Sequence, residues 1–298
     1  MPYLRMNPKK NGLQPIGFII WLCLTWGCGL SQTTTPPFVP APTALVSPPP
    51  TPVISATVTN AAAVTRTPVP PDTGWLTLRP GLEQRTINIL DTNTGQQRES
   101  VTILRLDPAL FTFNVAYHPG HPQSLTDWQA ETGALLVVNG GYFTAEQVAT
   151  GLIIVAGEAS GLSYEGFGGM VVITANGLKV RSLAEQPYNP TETIAAAIQS
   201  FPLLVKPGNI AAYPEEDNLP SRRTVIAQDR QGRVLFLVAP SLHFTLYQLS
   251  QWLATSDLEL DIALNLDGGG STGLFLTDPP LHIPSFDLLP TVLIASPR

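Results

Sequence analysis

Residues 31–71 contain 11 prolines and nine threonines in 41 positions, with Arg66 as the only charge. A stretch so poor in large apolar side chains cannot bury enough surface to offset the entropy of ordering it. It therefore reads as an extended, partly polyproline II linker. The linker divides the 298-residue chain into a leader (residues 1–27), the linker itself (residues 28–73) and a folded unit (residues 74–298). The folded unit, about 225 residues long, is enough for one domain with a substantial core.

Partitioning changes the charge. Four of the 16 basic residues (Arg5, Lys9, Lys10 and Arg66) and none of the 22 acids fall in the first 71 residues, so the rest carries 12 basic against 22 acidic residues, a net of −10. Phosphate backbones are gripped by basic surfaces, so a general nucleic-acid partner is excluded. Any anionic ligand must be met by a local basic site.

In the leader, Arg5, Lys9 and Lys10 precede the apolar run IGFIIWLCLTW (16–26), which ends at Gly27 and Cys28. A basic start, a short apolar run and a small residue describe a secretory signal, and the run is short for a membrane span. Cys28 stands where bacterial lipoproteins are cleaved and lipidated, although Thr25 and Trp26 depart from the usual aliphatic and small residues. The expectation is an extracytoplasmic protein, lipid-anchored at Cys28 in the cell membrane or envelope, with ordinary signal cleavage or an uncleaved anchor as the alternatives. Cleavage there would discard Cys23, the only other cysteine, leaving a fold that relies on its core rather than on disulfides.

Short apolar runs then alternate with turn signals. Strands are expected at 86–90, 101–106, 112–117, 134–139, 152–155, 169–174, 203–205, 224–229, 234–239 and 262–266, many rich in Val, Ile and Thr. Helices are expected at 124–132 after a Ser cap, at 245–253 after a Thr cap with Leu246, Leu249 and Leu253 on one face, and more weakly at 191–199. The fold class this predicts is α+β, a single strand-dominated domain with a few short helices. Neither a P-loop nor a dinucleotide glycine pattern occurs, and no cofactor is expected.

Three stretches do not read as scaffold. In VVNGGYF (137–143) an apolar strand ends at Asn139, followed by Gly140, Gly141 and Tyr142. Adjacent glycines allow close approach of backbone to a ligand. In SRRTVIA (221–227), Arg222 and Arg223 open a strand, and alternation lets at most one of them face a given cleft. An Arg fork suits phosphate or carboxylate, whereas a solvated basic pair is the plain alternative. In IALNLDGGGST (262–272), Asn265 and Asp267 share a strand face ahead of Gly268, Gly269, Gly270 and Ser271. A carboxylate at a buried strand end is costly unless it is bonded or used, and successive N–H groups there can cradle an anion.

These stretches, together with GLII (151–154), Gly157, QSFPLLV (199–205) and Gly208, resemble the phosphodiester glycosidase family in the family's own order, over roughly residues 86–295. The resemblance implies cleavage of a sugar–phosphate linkage at the anomeric carbon. It also implies a site made of Asn139, Gly140, Gly141, Tyr142, Arg223, Asn265, Asp267 and the turn 268–271. Phe201 where a small residue is common, and His243 where Gly is common, depart from the family pattern and bear on substrate fit.

Glycosidases ordinarily use two carboxylates. A phosphate leaving group is weakly basic and needs charge stabilisation more than a proton. On this reading Arg223 and the 268–271 amides hold phosphate, Asp267 stabilises an oxocarbenium-like centre or activates water, and Asn139 and Asn265 position sugar hydroxyls. Arg222 completes the substrate-binding set. A second carboxylate could come from Glu146 or Glu165, although both read more plainly as exposed loop acids; His118 and His121 read as turn residues, Trp128 and Trp252 as core. No metal site is expected. Tyr164 and Phe167 either stack on a sugar ring or plug the edge of the core. The partner expected is a sugar-phosphate diester or surface polysaccharide. The alternative function is a non-catalytic glycan- or sugar-phosphate-binding envelope lipoprotein.

Overall fold

The computed structural model describes residues 70–298. The leader, Cys28 and the linker through residue 69 lie outside the described residues. The last four linker residues are described and pack on the domain. The Pro70 carbonyl accepts from Asn88 Nδ2 at 2.7 Å, and the Asp72 carboxylate pairs with Arg85 at 2.5 Å.

The domain is strand-dominated, with eighteen strands, two α-helices and one 3-10 turn among the described residues. An eight-stranded sheet runs in the order Leu76–Arg79, Leu82–Leu90, Gln97–Leu106, Val234–Phe244, Ser221–Asp229, Leu260–Asn265, Leu203–Lys206, Ile210–Ala211. A five-stranded sheet is built on Ala196–Ser200, between Ile153–Val155 and Gly169–Thr174. A second five-stranded sheet is built on Leu136–Asn139, between Leu274–Leu276 and Thr291–Pro297. Every pairing between these strands is antiparallel.

Strand periodicity explains the layering. In Val234–Phe244, Val234, Phe236 and Val238 enter one core while Leu235, Leu237 and Ala239 enter another, as side chains on successive residues must. The first core is shared by one face of all three sheets, through residues such as Phe236, Leu264, Val171, Ile198, Leu136 and Leu293. The second is closed by helix Leu246–Thr255, whose Leu249 and Leu253 pack against Phe244 and Ala263. That helix starts at a capping box in which Thr245 and Gln248 bond each other's backbone. Helix Leu125–Thr132, capped by Ser124, lays Leu125 and Trp128 on the far face of the Leu136–Asn139 sheet.

All ten expected strands and both capped helices form. The third helix does not. Residues 196–200 form the central strand of a five-stranded sheet, with Ala196, Ala197 and Ile198 all buried. The run AAAIQS has helical propensity, but burial on both faces overrides it.

Candidate functional site

The carboxyl ends of two central strands meet near the start of a third. Val225 pairs with Asn265 in an antiparallel ladder. Two steps back on one strand and two forward on the other place Arg223 beside Asp267, a relation supported by the bond from Leu266 N–H to the Thr224 carbonyl at 2.9 Å. Leu136–Asn139 arrives from a different sheet and is tied on where the Asp267 N–H donates to the Gly140 carbonyl at 3.0 Å.

Asn139 makes that junction. Its Nδ2 donates to the Asp267 carbonyl at 2.8 Å and the Gly140 carbonyl at 3.3 Å. Its Oδ1 accepts from Thr224 Oγ1 at 2.7 Å and Gly273 N–H at 3.0 Å. Fully buried, with both donors and both acceptor positions used, it has nothing left for a sugar hydroxyl. The expectation of a substrate contact gives way to a structural staple between sheets. Replacing it leaves several buried partners unpaired, so Asn139→Ala is expected to cost about 2–4 kcal/mol of stability, measured by urea unfolding. A loss below about 1 kcal/mol would count against the staple.

Gly140 and Gly141 are likewise packing glycines. A Cβ on Gly140 would sit 2.6 Å from the Thr291 side chain, and one on Gly141 would sit 2.6 Å from the Gln199 carbonyl. Both residues are buried, so the close approach they permit is chain to chain rather than chain to ligand.

Tyr142, Asn265, Asp267 and Arg223 do come together. Asn265 Nδ2, with two hydrogens to give, lies within hydrogen-bond distance of three acceptors, the Tyr142 hydroxyl at 2.8 Å, the Phe201 carbonyl at 3.1 Å and the Leu266 carbonyl at 2.6 Å. Asn265 is fully buried and its Oδ1 has no protein partner, an unmet acceptor at the strand end. The Tyr142 hydroxyl is pushed to higher pKa by burial and then by the negative charge of Asp267, with Arg223 acting the other way. Tyr142 therefore lies within the field of both Asp267 and Arg223.

Asp267 has its pKa raised to about 6, first by burial and further by the negative charge of Asp287, against hydrogen bonds from Ser271 and the Gly268 N–H. The Gly268 bond to Oδ1 is 2.9 Å. Ser271 N–H donates to the Gly268 carbonyl at 3.2 Å. The expected four-residue cradle is thus half occupied from within, and only the Gly269 and Gly270 N–H groups lack a partner among the described residues.

Arg223 is 7% exposed and forms no salt bridge among the described residues. Nε donates to the Phe244 carbonyl at 3.2 Å and Nη2 to the Leu219 carbonyl at 2.9 Å. Nη1 lies 3.8 Å from where a Cβ on Gly268 would sit. Burial lowers the guanidinium pKa, yet Arg stays charged in proteins. A buried cation without a counter-ion is costly, and an anion about 4 Å away would gain about 4 kcal/mol at an effective dielectric of 20. Arg222 faces elsewhere. It bonds the Pro240 carbonyl at 3.0 Å and the Pro284 carbonyl at 2.8 Å, with the Phe286 ring 4.0 Å from its guanidinium carbon.

An aromatic wall adjoins these groups. Tyr142 stacks on Phe201 at 4.6 Å, Tyr164 on Phe167 at 4.9 Å, and the two pairs meet edge-on through Phe201. Asp267 also raises the Tyr164 pKa, after burial. Phe167 is 51% and Phe201 37% exposed, so both leave ring surface open. Gln199, buried, holds this loop by accepting from Tyr164 N–H at 2.8 Å and donating to Ser163 Oγ at 2.7 Å.

Glu146 and Glu165 are exposed. His118 lies against Glu131 and Trp128 at the surface. Trp128 is fully buried and Trp252 packs partly buried on the second core. The carboxylate that sequence reasoning missed is Asp287, twenty residues past Asp267 in the proline-flanked loop IPSFDLLP (283–290). Nothing in its spacing marks it. Among the described residues, no group of three or more His, Cys, Asp or Glu side chains converges as a metal site would. Cavities of about 330 and 350 Å³, lined by residues such as Phe275 and His282 or Phe113 and Arg298, lie elsewhere and include no carboxylate.

A strand-dominated domain with a carboxylate, a buried arginine and an asparagine at joined strand ends is matched by the phosphodiester glycosidase family model over residues 132–292. The chain belongs to the phosphodiester glycosidase family, and that membership supports a glycosidase-type hydrolase. Its fold is similar to the catalytic domain of zebrafish N-acetylglucosamine-1-phosphodiester alpha-N-acetylglucosaminidase, described as auto-inhibited by pro-peptide. That likeness has 22% identity and a TM-score of 0.59, covering 74% of this chain and 85% of the other. A hypothetical protein from Synechocystis is similar at 14% identity and a TM-score of 0.56, covering 77% of this chain and 64% of its own. At these identities the likeness is one of fold. No curated protein matches the chain by sequence.

Proposed function

We propose that this protein is an exported glycoside hydrolase, lipid-anchored at Cys28, that cleaves the bond between an anomeric carbon and a phosphodiester oxygen. The substrate class is a sugar 1-phosphodiester of the N-acetylglucosamine-phosphate type, free or within a surface polymer. The observation that carries this reading is the placement of Arg223, a buried cation with no salt-bridge partner among the described residues, at the strand end beside the Asp267 turn. An anion is needed by the first, and a developing positive centre would be stabilised by the second.

Arg223 Nη1 and the free N–H groups of Gly269 and Gly270 receive the phosphate. As the anomeric C–O bond breaks, charge builds on the phosphate oxygen, where the guanidinium stabilises it. The departing phosphate monoester has a second pKa of about 6, so it leaves without a strong acid. Asp267, ionised, faces the oxocarbenium-like carbon. The Tyr142–Phe201 and Tyr164–Phe167 pairs offer ring faces to the apolar side of a sugar.

Incubation of the purified protein with a nitrophenyl N-acetylglucosaminyl phosphodiester in ¹⁸O-water tests the reading. Free N-acetylglucosamine and unlabelled nitrophenyl phosphate are expected. Label in the phosphate would mean P–O cleavage, and binding without product would indicate a carbohydrate-binding protein instead; either overturns the proposal. Because Asp267 must be ionised, kcat/KM should fall about tenfold per unit as pH drops below about 6 and level off above it. Activity that declines as pH rises through that value would reverse its role.

A further inference from the structure

A second carboxylate is built into the same turn by the loop at residues 283–287. The loop lies directly on the glycines: a Cβ on Gly270 would overlap the Asp287 carboxylate, and one on Gly273 would sit 2.8 Å from Ser285 N and 3.0 Å from the Ile283 carbonyl. The N–H groups of Phe286 and Asp287 both donate to the Gly270 carbonyl, at 2.7 and 3.1 Å. From behind, Arg222 holds the loop through its bond to the Pro284 carbonyl at 2.8 Å and the Phe286 ring 4.0 Å from its guanidinium carbon. Arg222 is 5% exposed, with Nη1 unpartnered, so this clamp is a buried and costly device rather than a surface accident.

Its product is an exposed carboxylate on an anchored loop. Asp287 sits against Gly270, while Asp267 accepts from the Gly268 N–H on the same turn. The two carboxylates are close enough for Asp287 to hinder ionisation of Asp267. Arg223, 7% exposed and with Nη1 free, supplies the cation at the same turn.

We infer that Asp287 is the second carboxylate of the reaction and takes the proton of the attacking water, a role that rests on the hydrolase reading above. The water oxygen bonds to the anomeric carbon as the bond from that carbon to the phosphate oxygen breaks. The electron pair of the broken bond leaves with the phosphate, and the water proton passes to an Asp287 carboxylate oxygen and then to solvent. The products are the free sugar and a phosphate monoester. Asp267, more buried, stays with the cationic carbon, and exposed Asp287 meets water. Arg222 is a positioning residue that acts through the loop.

The full chain, assayed on the nitrophenyl phosphodiester, tests this with Asp287→Asn, Asp287→Ala and Gly270→Ala. Asp287 is exposed, so its variants should keep the wild-type Tm. Asp287→Asn should lower kcat about 100-fold or more with KM little changed. Gly270→Ala, which displaces the carboxylate without removing it, should also lower kcat. Azide should restore turnover of Asp287→Ala and give a glycosyl azide, which a merely structural role would not produce. Wild-type activity in Asp287→Asn, or loss in Asp287→Ala without any azide product, overturns the inference and leaves the hydrolase reading standing. A wild-type protein that turns over no phosphodiester overturns both.

Discussion

Asp267→Asn should lose about 10³-fold in kcat on a sugar 1-phosphodiester while gaining stability at neutral and alkaline pH. The two effects share one cause. Burial and the nearby Asp287 raise the Asp267 pKa from 3.8 to about 6, so the folded protein holds this proton more tightly than the unfolded chain does. The stability linked to it is fully present below pH of about 4 and is lost as pH rises through about 6. A shift of about two units corresponds to about 1–3 kcal/mol once partial solvent contact is discounted. Asparagine cannot ionise and escapes that penalty. Unfolding of both proteins at pH 4 and pH 8 checks this, with the variant relatively more stable at pH 8. Near-normal turnover would remove Asp267 from the chemistry, and equal pH dependence would show that its ionisation costs the fold nothing.

Arg223→Ala should reduce kcat/KM about 10²–10³-fold and abolish competitive inhibition by inorganic phosphate. The guanidinium is already held by the Phe244 and Leu219 carbonyls, so Nη1 is presented to an anion with little left to order. Removing it also leaves two carbonyls unpaired, at about 1–3 kcal/mol. The inhibition measurement therefore matters more than the rate alone. Arg223→Lys keeps the charge but cannot reach both carbonyls and an anion together, and should recover only part of the loss. Wild-type inhibition by phosphate in Arg223→Ala would place the anion elsewhere. Arg222→Ala should leave phosphate inhibition intact, because Arg222 faces the Pro240 and Pro284 carbonyls.

Much of the strand framework was legible because its signal is local. Val, Ile and Thr runs of three to six residues bounded by turn residues mark a pleated, buried surface, and the Ser124 and Thr245 caps mark helix starts. Residues 191–199 failed because propensity is a weak prior beside burial on both faces of a central strand. The strand Thr291–Pro297, also unexpected, carries an apolar TVLIA run that periodicity could have found.

At the site, residue type was readable and residue job was not. Asn139 and Asn265 each end an apolar strand, yet one staples two sheets and the other keeps an unmet Oδ1 beside Tyr142. Adjacent Arg222 and Arg223 had to diverge by alternation, but which one faced the turn depended on the register that sets Val225 against Asn265. Gly140 and Gly141 looked like room for a ligand, whereas they make room for other parts of the chain.

By itself, then, the sequence determined a proline-rich segment ahead of an acidic strand-built domain and the three stretches that carry polar groups, since each is written in neighbouring residues. Only the tertiary structure decided that Asp267 shares its turn with Arg223 and Asp287. Those groups are separated by twenty to over sixty residues of chain, and their proximity comes from antiparallel register and from a loop seated on glycines, which no local pattern encodes.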